Sequence, residues 1–188
     1  MQLTPQEARA ILDRAEVIHP ASAVDAAIER VAGDITARLA DTCPLVLCVM
    51  TGGLVFSGRL LSRLEFLLEI DYLHVTRYHQ ETTGGALSWR AAPWIDVRGR
   101  TVLVVDDILD QGVTLKAVHD RLLQMGAAQC LMAVLVEKLR PEPKPVKADF
   151  VALHAPDRFL FGSGMDMKGA WRNLPAIYAI GEADAGDD

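Results

Sequence analysis

The stretch "VLVVDDILDQGVTL" (residues 102–115) decides how the chain is read. Val102, Leu103, Val104 and Val105 form an apolar run of the kind that a buried parallel strand needs. The run leads straight into Asp106 and Asp107, and Asp110 follows two apolar residues later. Gly112 then permits a tight turn, and apolar residues resume at helical spacing from Thr114 onward. A strand that feeds a glycine turn and a helix start aims backbone N–H groups at one point, which favours an anion there. Three carboxylates at such a place must therefore address something other than the anion.

The pattern repeats on both sides of this stretch. "LVLCVM" (residues 45–50) is a second continuous apolar run; it ends in "TGG" and is followed by "LVFSGRLLSRL" at helical spacing. "CLMAVLVE" (130–137) is a third run, and "ADFVALHA" (148–155) a fourth. A helix closed by Gly126 separates the opening run from the third. "EFLLEIDYLHVTRY" (65–78) reads as a long strand, with "LSWR" (87–90) as the returning arm of a hairpin around the polar loop "HQETTGGA". Near the start, "TPQE" (4–7) is a capping box with Pro5 at the first helical position, predicting a helix to about Val17. Ser22 and Asp25 can begin a second helix ending near "DTCP" (41–44). Strands alternating with helices predict an α/β fold with a doubly wound, mainly parallel sheet flanked by helices. Ligands in such folds bind beyond the carboxyl ends of the strands. "TGG", "DDILDQG" and "EK" all fall at such ends.

Composition narrows the class. The 188 residues are 51% hydrophobic, enough for one domain with a substantial core. The net charge of -6 and the lack of a basic stripe argue against nucleic acid as a partner. No apolar run approaches the length of a membrane span, and the first residues do not have the pattern of a secretory signal. Cys43, Cys48 and Cys130 form no C-x-x-C pair and read as small buried residues in a reducing compartment, so a cytoplasmic location is expected. "GEADAGDD" (181–188) reads as an acidic, disordered tail on a single domain of residues 1–180.

Two families carry strings like the opening one. Receiver domains of two-component signalling have an acidic pair after their first strand. Here about half of the chain precedes Asp106, and Asp149, the candidate phospho-acceptor, starts an apolar run instead of ending one. The whole string, Asp-Asp, two apolar residues, Asp, any residue, Gly, any residue, Thr, resembles the signature of type I phosphoribosyltransferases. These enzymes move ribose 5-phosphate from phosphoribosyl pyrophosphate (PRPP) to a nitrogenous base. The resemblance runs through residues 45–177 and is to the hypoxanthine-guanine branch. "VMTGGLVFSGRLL" resembles its pyrophosphate loop and following helix, "HVTRYHQETTGG" its mobile lid, and "LVEK" its purine-contacting lysine segment. "PDRFLFGSGMDMKGAWRNLP" (156–175) resembles the branch's Pro-Asp-x-Phe-Val-Val-Gly-Tyr-Gly-Leu-Asp and Arg-Asn-Leu-Pro.

The resemblance implies roles for particular residues. Gln111, Gly112, Val113 and Thr114, with the Asp110 backbone, would cradle the 5-phosphate, while Asp106 and Asp107 would meet the ribose hydroxyls. Asp110 would be the catalytic base near N7 of the purine. Thr51, Gly52, Gly53, Arg77, Tyr78 and Arg172 would hold pyrophosphate. Lys138 would donate to O6 of a 6-oxopurine, Phe159 would stack on the ring, and Leu160 and Asp166 would address its far edge. Asp106, Asp107 and Asp166 would bind Mg2+, a hard cation suited to carboxylates. Anionic neighbours would raise the pKa of Asp110 unless metal countered them. The resemblance also implies a small hood, built from the N-terminal helices and residues 155–180, a mobile hairpin lid, and a homodimer or homotetramer.

Some positions depart from the family pattern. Thr51 stands where a basic residue is usual, Gln111 where Thr or Ser is usual, Arg77 where the lid has Ser, and Ser163 where Tyr is usual. The expected activity is Mg2+-dependent transfer to hypoxanthine or guanine, giving IMP or GMP and pyrophosphate. Two alternatives stay open on the sequence: a transferase preferring xanthine, and a regulator that binds PRPP or nucleotide through the same fold.

Overall fold

The computed structural model describes residues 3–77 and 87–180, and of Arg77 and Leu87 the backbone alone. Tyr78, the loop expected to form the lid and the acidic tail lie outside the described residues.

The large sheet has six strands. These are β2 (Leu45–Met50), β3 (Glu69–Arg77), β4 (Leu87–Ala91), β5 (Thr101–Leu109), β6 (Gln129–Leu139) and β7 (Phe150–Pro156), in the spatial order β4-β3-β2-β5-β6-β7. The edge strand β4 runs antiparallel to β3; all other neighbours are parallel. From β2 the chain winds outward to β3 and β4, then returns to lay β5 on the other side of β2. The winding direction reverses between β2 and β5. In an open α/β sheet that reversal leaves a crevice at the carboxyl ends of the two strands. The residues following β2 are Thr51 and Gly52, and those ending β5 include Asp106 and Asp107.

Both faces of the sheet are covered, which is why its central strands can be apolar throughout. Helices α2 (Ala21–Leu39) and α3 (Gly53–Leu61) cover one face, burying Ile28, Ile35, Phe56 and Leu60 against Val46, Leu103, Val105 and Leu131. Helix α4 (Val113–Gln124) covers the other, burying Val118 and Leu122 with Leu47, Val102, Val104 and Val134. Along β5 the odd- and even-numbered residues 102–105 thus divide between the two layers, as strand periodicity requires.

A second, smaller sheet joins β1 (Glu16–His19), β9 (Ile177–Ala179) and β8 (Leu160–Phe161) in antiparallel order β1-β9-β8. Helix α1 (Pro5–Arg14), with its Thr4–Glu7 capping box, packs there through Ile11 and Leu12 near Phe161, Met167 and Ile180. Of the two N-terminal helices only α1 belongs to this layer; α2 lies against the large sheet.

Several boundaries differ from the sequence expectations. The first helix stops at Arg14, and Glu16–His19 is a strand because β9 supplies a pairing edge that arrives from the far end of the chain. Helix α2 starts at Ala21 after Pro20, with no side-chain cap. Strand β3 starts at Glu69, later than expected. Strand β5 continues through Leu109, paired with the long β6, so the acidic pair lies inside the strand instead of just past its end. Cys48 and Cys130 are buried, and burial pushes the Cys130 thiol up to about 12. Cys43 is partly exposed, contrary to the buried reading. Among the described residues no helix is long and apolar enough to cross a membrane.

Candidate active site

A cleft of about 430 Å³ opens at the β2/β5 reversal. Its lining includes Thr51 and Gly52 from the β2 end, Asp106, Asp107 and Asp110 from the β5 end, and Arg172 from the segment before β9. Gln111, Gly112 and Thr114 close it at the start of α4. Gly112 has φ +80, a conformation that favours glycine, and it occupies the N-cap of α4 without any side-chain cap. The positive end of the α4 dipole therefore faces any anion bound there. Val113 is half-exposed on that first turn and is not part of the cleft wall.

The opposite wall depends on close approach of backbones. The Met50–Thr51 peptide is cis. A Cβ on Gly53 would lie 2.7 Å from the Val105 carbonyl oxygen, so the start of α3 rests directly on β5. A Cβ on Gly52 would lie 2.0 Å from Asp107 Oδ2. Gly164, at φ +112, approaches from the hood; a Cβ there would lie 2.3 Å from the Gly52 carbonyl oxygen. Gly164 also accepts a hydrogen bond from Arg172 Nη1 at 2.7 Å, which turns that guanidinium towards the cleft. Arg172 pairs with Asp166 at 2.5 Å and lies 4.0 Å from Asp107.

Asp106 and Asp107 are both buried. Burial, reinforced by the Asp107 charge, pushes the Asp106 carboxyl well above the usual carboxylate range. Burial raises Asp107 as well, against the lowering influence of Asp106 hydrogen bonding and of Arg172. Two anions held side by side in a low-dielectric wall would gain from a cation. Among the described residues no cluster of three His, Cys, Asp or Glu could hold a metal alone, so Asp106, Asp107 and Asp166 do not form a ready-made cage. The pair nevertheless supplies two hard oxygen donors, which suits Mg2+ arriving with substrate oxygens and its own waters.

A second depression of about 230 Å³ adjoins the first and shares Asp107, Ile108 and Asp110 with it. Lys138, Phe159, Leu160, Met165 and Asp166 complete it. Lys138, near the end of β6, is largely buried and donates from Nζ to Asp110 Oδ2 at 2.9 Å. Asp110 Oδ1 accepts from Arg140 Nη1, also at 2.9 Å. Burial pushes the Asp110 carboxyl up, but the hydrogen bonds and charges of Lys138 and Arg140 outweigh it. The net direction is below the usual range, opposite to the rise expected from Asp106 and Asp107. Leu160 sits in β8 opposite Ala179, and the Phe159 carbonyl accepts from the Ile180 N–H, so both are fixed by the small sheet. Asp166 accepts from the Gly169 N–H at 2.7 Å.

A helix terminus and a buried acidic pair in one cleft thus adjoin a pocket that holds a Lys–Asp pair and an aromatic side chain. Residues 15–168 match the model of the phosphoribosyl transferase domain. The chain belongs to the type I phosphoribosyltransferase family. It falls in the hypoxanthine-guanine branch. It is 30% identical over 157 residues to the hypoxanthine-guanine phosphoribosyltransferase of Streptococcus pneumoniae, covering 83% of this chain and 87% of the relative. It is 29% identical to the hypoxanthine-guanine-xanthine phosphoribosyltransferase of Tritrichomonas foetus, covering 91% and 94%. A solved hypoxanthine-guanine-xanthine phosphoribosyltransferase superposes with a TM-score of 0.79 at 28% identity, covering 91% of this chain and 98% of that one.

In this phosphoribosyltransferase the structure brings together Thr51, Gly52, Asp106, Asp107, Asp110, Gln111, Gly112, Thr114 and Arg172 around the cleft. Lys138, Phe159, Leu160 and Asp166 gather around the second pocket. Gly53 supports the wall from behind. The Arg77 side chain and Tyr78 lie outside the described residues. Sequence reasoning missed His74 and Thr76, which reach the cleft from β3, and Arg140 and Asp157 beside Asp110. Alternation along β3 could have flagged the first two, since both share a face with Tyr72. Nothing local marks Arg140.

Proposed function

We propose that the chain is a purine-salvage phosphoribosyltransferase that uses PRPP to convert hypoxanthine or guanine to its 5′-nucleotide, releasing pyrophosphate. The observation that carries this reading is the Lys138–Asp110 pair in the second pocket. A 6-oxopurine presents a carbonyl acceptor at C6 beside an N–H donor at N7. Lys138 is a donor without acceptor capacity, and ionised Asp110 an acceptor without donor capacity. A 6-aminopurine would point an amino group at the ammonium, leaving two donors opposed.

The rest of the site follows the substrate. The α4 terminus at Gly112 and Thr114 receives the 5-phosphate. Asp106 and Asp107 face the ribose hydroxyls and would hold Mg2+. The metal would neutralise the charge of the leaving pyrophosphate when bound. Arg172 and the Thr51–Gly52 backbone address the same group from across the cleft, offsetting the loss of a basic side chain at position 51. The purine rests on Phe159, with its N9 directed towards the ribose, and Asp110 takes the N7 proton as the new bond forms. The preorganised charges of Asp106 and Asp107 stabilise a ribosyl centre that becomes cationic, and that of Arg172 the pyrophosphate that departs.

The test is incubation of the purified protein with PRPP, Mg2+ and hypoxanthine, guanine or xanthine, with nucleotides separated by chromatography. IMP and GMP are expected. Failure to form a nucleotide from any of the three would overturn the reading, and exclusive use of xanthine would replace the stated substrates.

A further inference from the structure

Arg140 lines neither the cleft nor the second pocket, yet it is bound to the residue on which both converge. Its Nη1 donates to Asp110 Oδ1 at 2.9 Å and to Asp157 Oδ1 at 2.8 Å. Lys138 Nζ lies 2.9 Å from Asp110 Oδ2 and 3.7 Å from Asp157 Oδ1. Two cations and two anions therefore alternate in a closed ring. The two oxygens of Asp110 have different partners: Oδ2 meets the pocket lysine, and Oδ1 meets the arginine behind it. We propose that Arg140, held in place by Asp157, is a positioning residue that fixes Asp110 by one oxygen so that the other is presented to the purine.

The surroundings make this a fixed attachment. Lys144 is largely buried and donates to the Lys138 carbonyl at 2.6 Å, to Glu137 Oε1 at 2.9 Å and to the Leu109 carbonyl at 3.3 Å. It thereby ties the end of β5 to the end of β6, and with them the backbones next to Asp110 and Arg140. Asp157 begins the segment leading to Phe159, so the same ring links the base to the segment that carries the stacking residue. When a 6-oxopurine draws Lys138 onto its carbonyl, Asp110 Oδ2 loses its donor and turns acceptor to the N7 proton. Arg140 does not follow, because Asp157 retains it. Without Arg140 the carboxylate would be free to rotate about its last bond at the moment when Lys138 leaves it. Loss of such orientation costs turnover more than binding.

This inference rests on the proposed role of Asp110, and the test separates the two. Steady-state kinetics would compare Arg140→Met, Arg140→Lys, Asp110→Asn and the Arg140→Met/Asp110→Asn double variant, each first checked for an unchanged melting profile. Arg140→Met should lower kcat on the order of tenfold with the KM for PRPP held within about twofold, and Arg140→Lys should recover most of the loss. In the Asp110→Asn background the same Arg140→Met change should cost less than about twofold, since interacting residues are not additive. Equal losses in both backgrounds, or no loss in either, would overturn the positioning role. If the parent protein forms no nucleotide, the functional reading fails while the clamp is still measurable. The carbon-13 carboxyl resonance of Asp110, assigned by its disappearance in Asp110→Asn, should move in Arg140→Met and stay in place in Arg98→Met, whose pairing with Asp96 is a separate surface contact. An Asp110 resonance unmoved by Arg140→Met would then overturn the proposal.

Discussion

Replacing Gly164 with alanine tests whether the cleft wall is as tightly set as the structure shows. Two costs arise. The residue sits at φ +112, where an L side chain is strained by roughly 1–2 kcal/mol. The added Cβ would also fall 2.3 Å from the Gly52 carbonyl oxygen and 3.2 Å from Asp107 Cβ. The first of these is backbone and cannot rotate away, so overpacking adds about 1–3 kcal/mol. The total of about 2–5 kcal/mol corresponds to a fall in Tm of roughly 4–20 °C for a domain of this size. Gly99→Ala is the matched control. It has φ +69 but nothing within 4 Å of the new Cβ, so only the conformational cost applies, about 1–2 kcal/mol. Thermal unfolding by circular dichroism would give both values. Kinetics at saturating purine should show a higher KM for PRPP in Gly164→Ala only, because Gly52, Asp107 and Arg172 move together. Equal melting points for the two variants, with an unchanged KM in each, would refute the claim that the hood closes directly on the Gly52 backbone.

Other outcomes follow from the same geometry. Asp110→Asn should reduce kcat by about a hundredfold or more while changing PRPP affinity little, which steady-state kinetics would show. Asp106 has a raised folded pKa, so at neutral pH its ionised form is penalised in the folded state. Asp106→Asn should therefore raise the Tm of the metal-free protein while weakening Mg2+–PRPP binding by calorimetry. The stabilisation should shrink as pH falls from the raised folded value towards the ordinary carboxylate value, where Asp106 is protonated both folded and unfolded. Lys138→Met removes the main donor that holds the Asp110 carboxyl low, so the acidic limb of the kcat/KM profile should move to higher pH. The same variant should raise the KM for the purine by about ten- to a hundredfold, the effect of losing one charged hydrogen bond in a pocket.

The parallel sheet was legible because β2, β5 and β6 are apolar on both faces, and few other environments tolerate such runs. The small sheet was not. β8 has two residues and β9 three, too short for any periodicity, and β1 follows an amphipathic helix closely enough to look like its continuation. The acidic pair was expected just past the end of the apolar run; the length of β6 draws both residues into the strand. The cleft residues Asp106, Asp107, Gly112 and Thr114 were legible as one string because a βα junction is local in sequence. Lys138, Phe159 and Asp166 were legible only through family resemblance, since their meeting brings together two separate chain segments. The lowered pKa of Asp110 was misread because its dominant neighbours, Lys138 and Arg140, come from another strand end.

The central claim is that the Lys138–Asp110 pair reads the C6 carbonyl and N7 proton of a purine next to bound PRPP. A single competition assay tests it most directly, with hypoxanthine and adenine at equal concentration, limiting PRPP and Mg2+. The account predicts IMP in excess of AMP by at least about a hundredfold, because a site built for one hydrogen-bond pattern rejects its reverse strongly. Comparable amounts of the two nucleotides would contradict it.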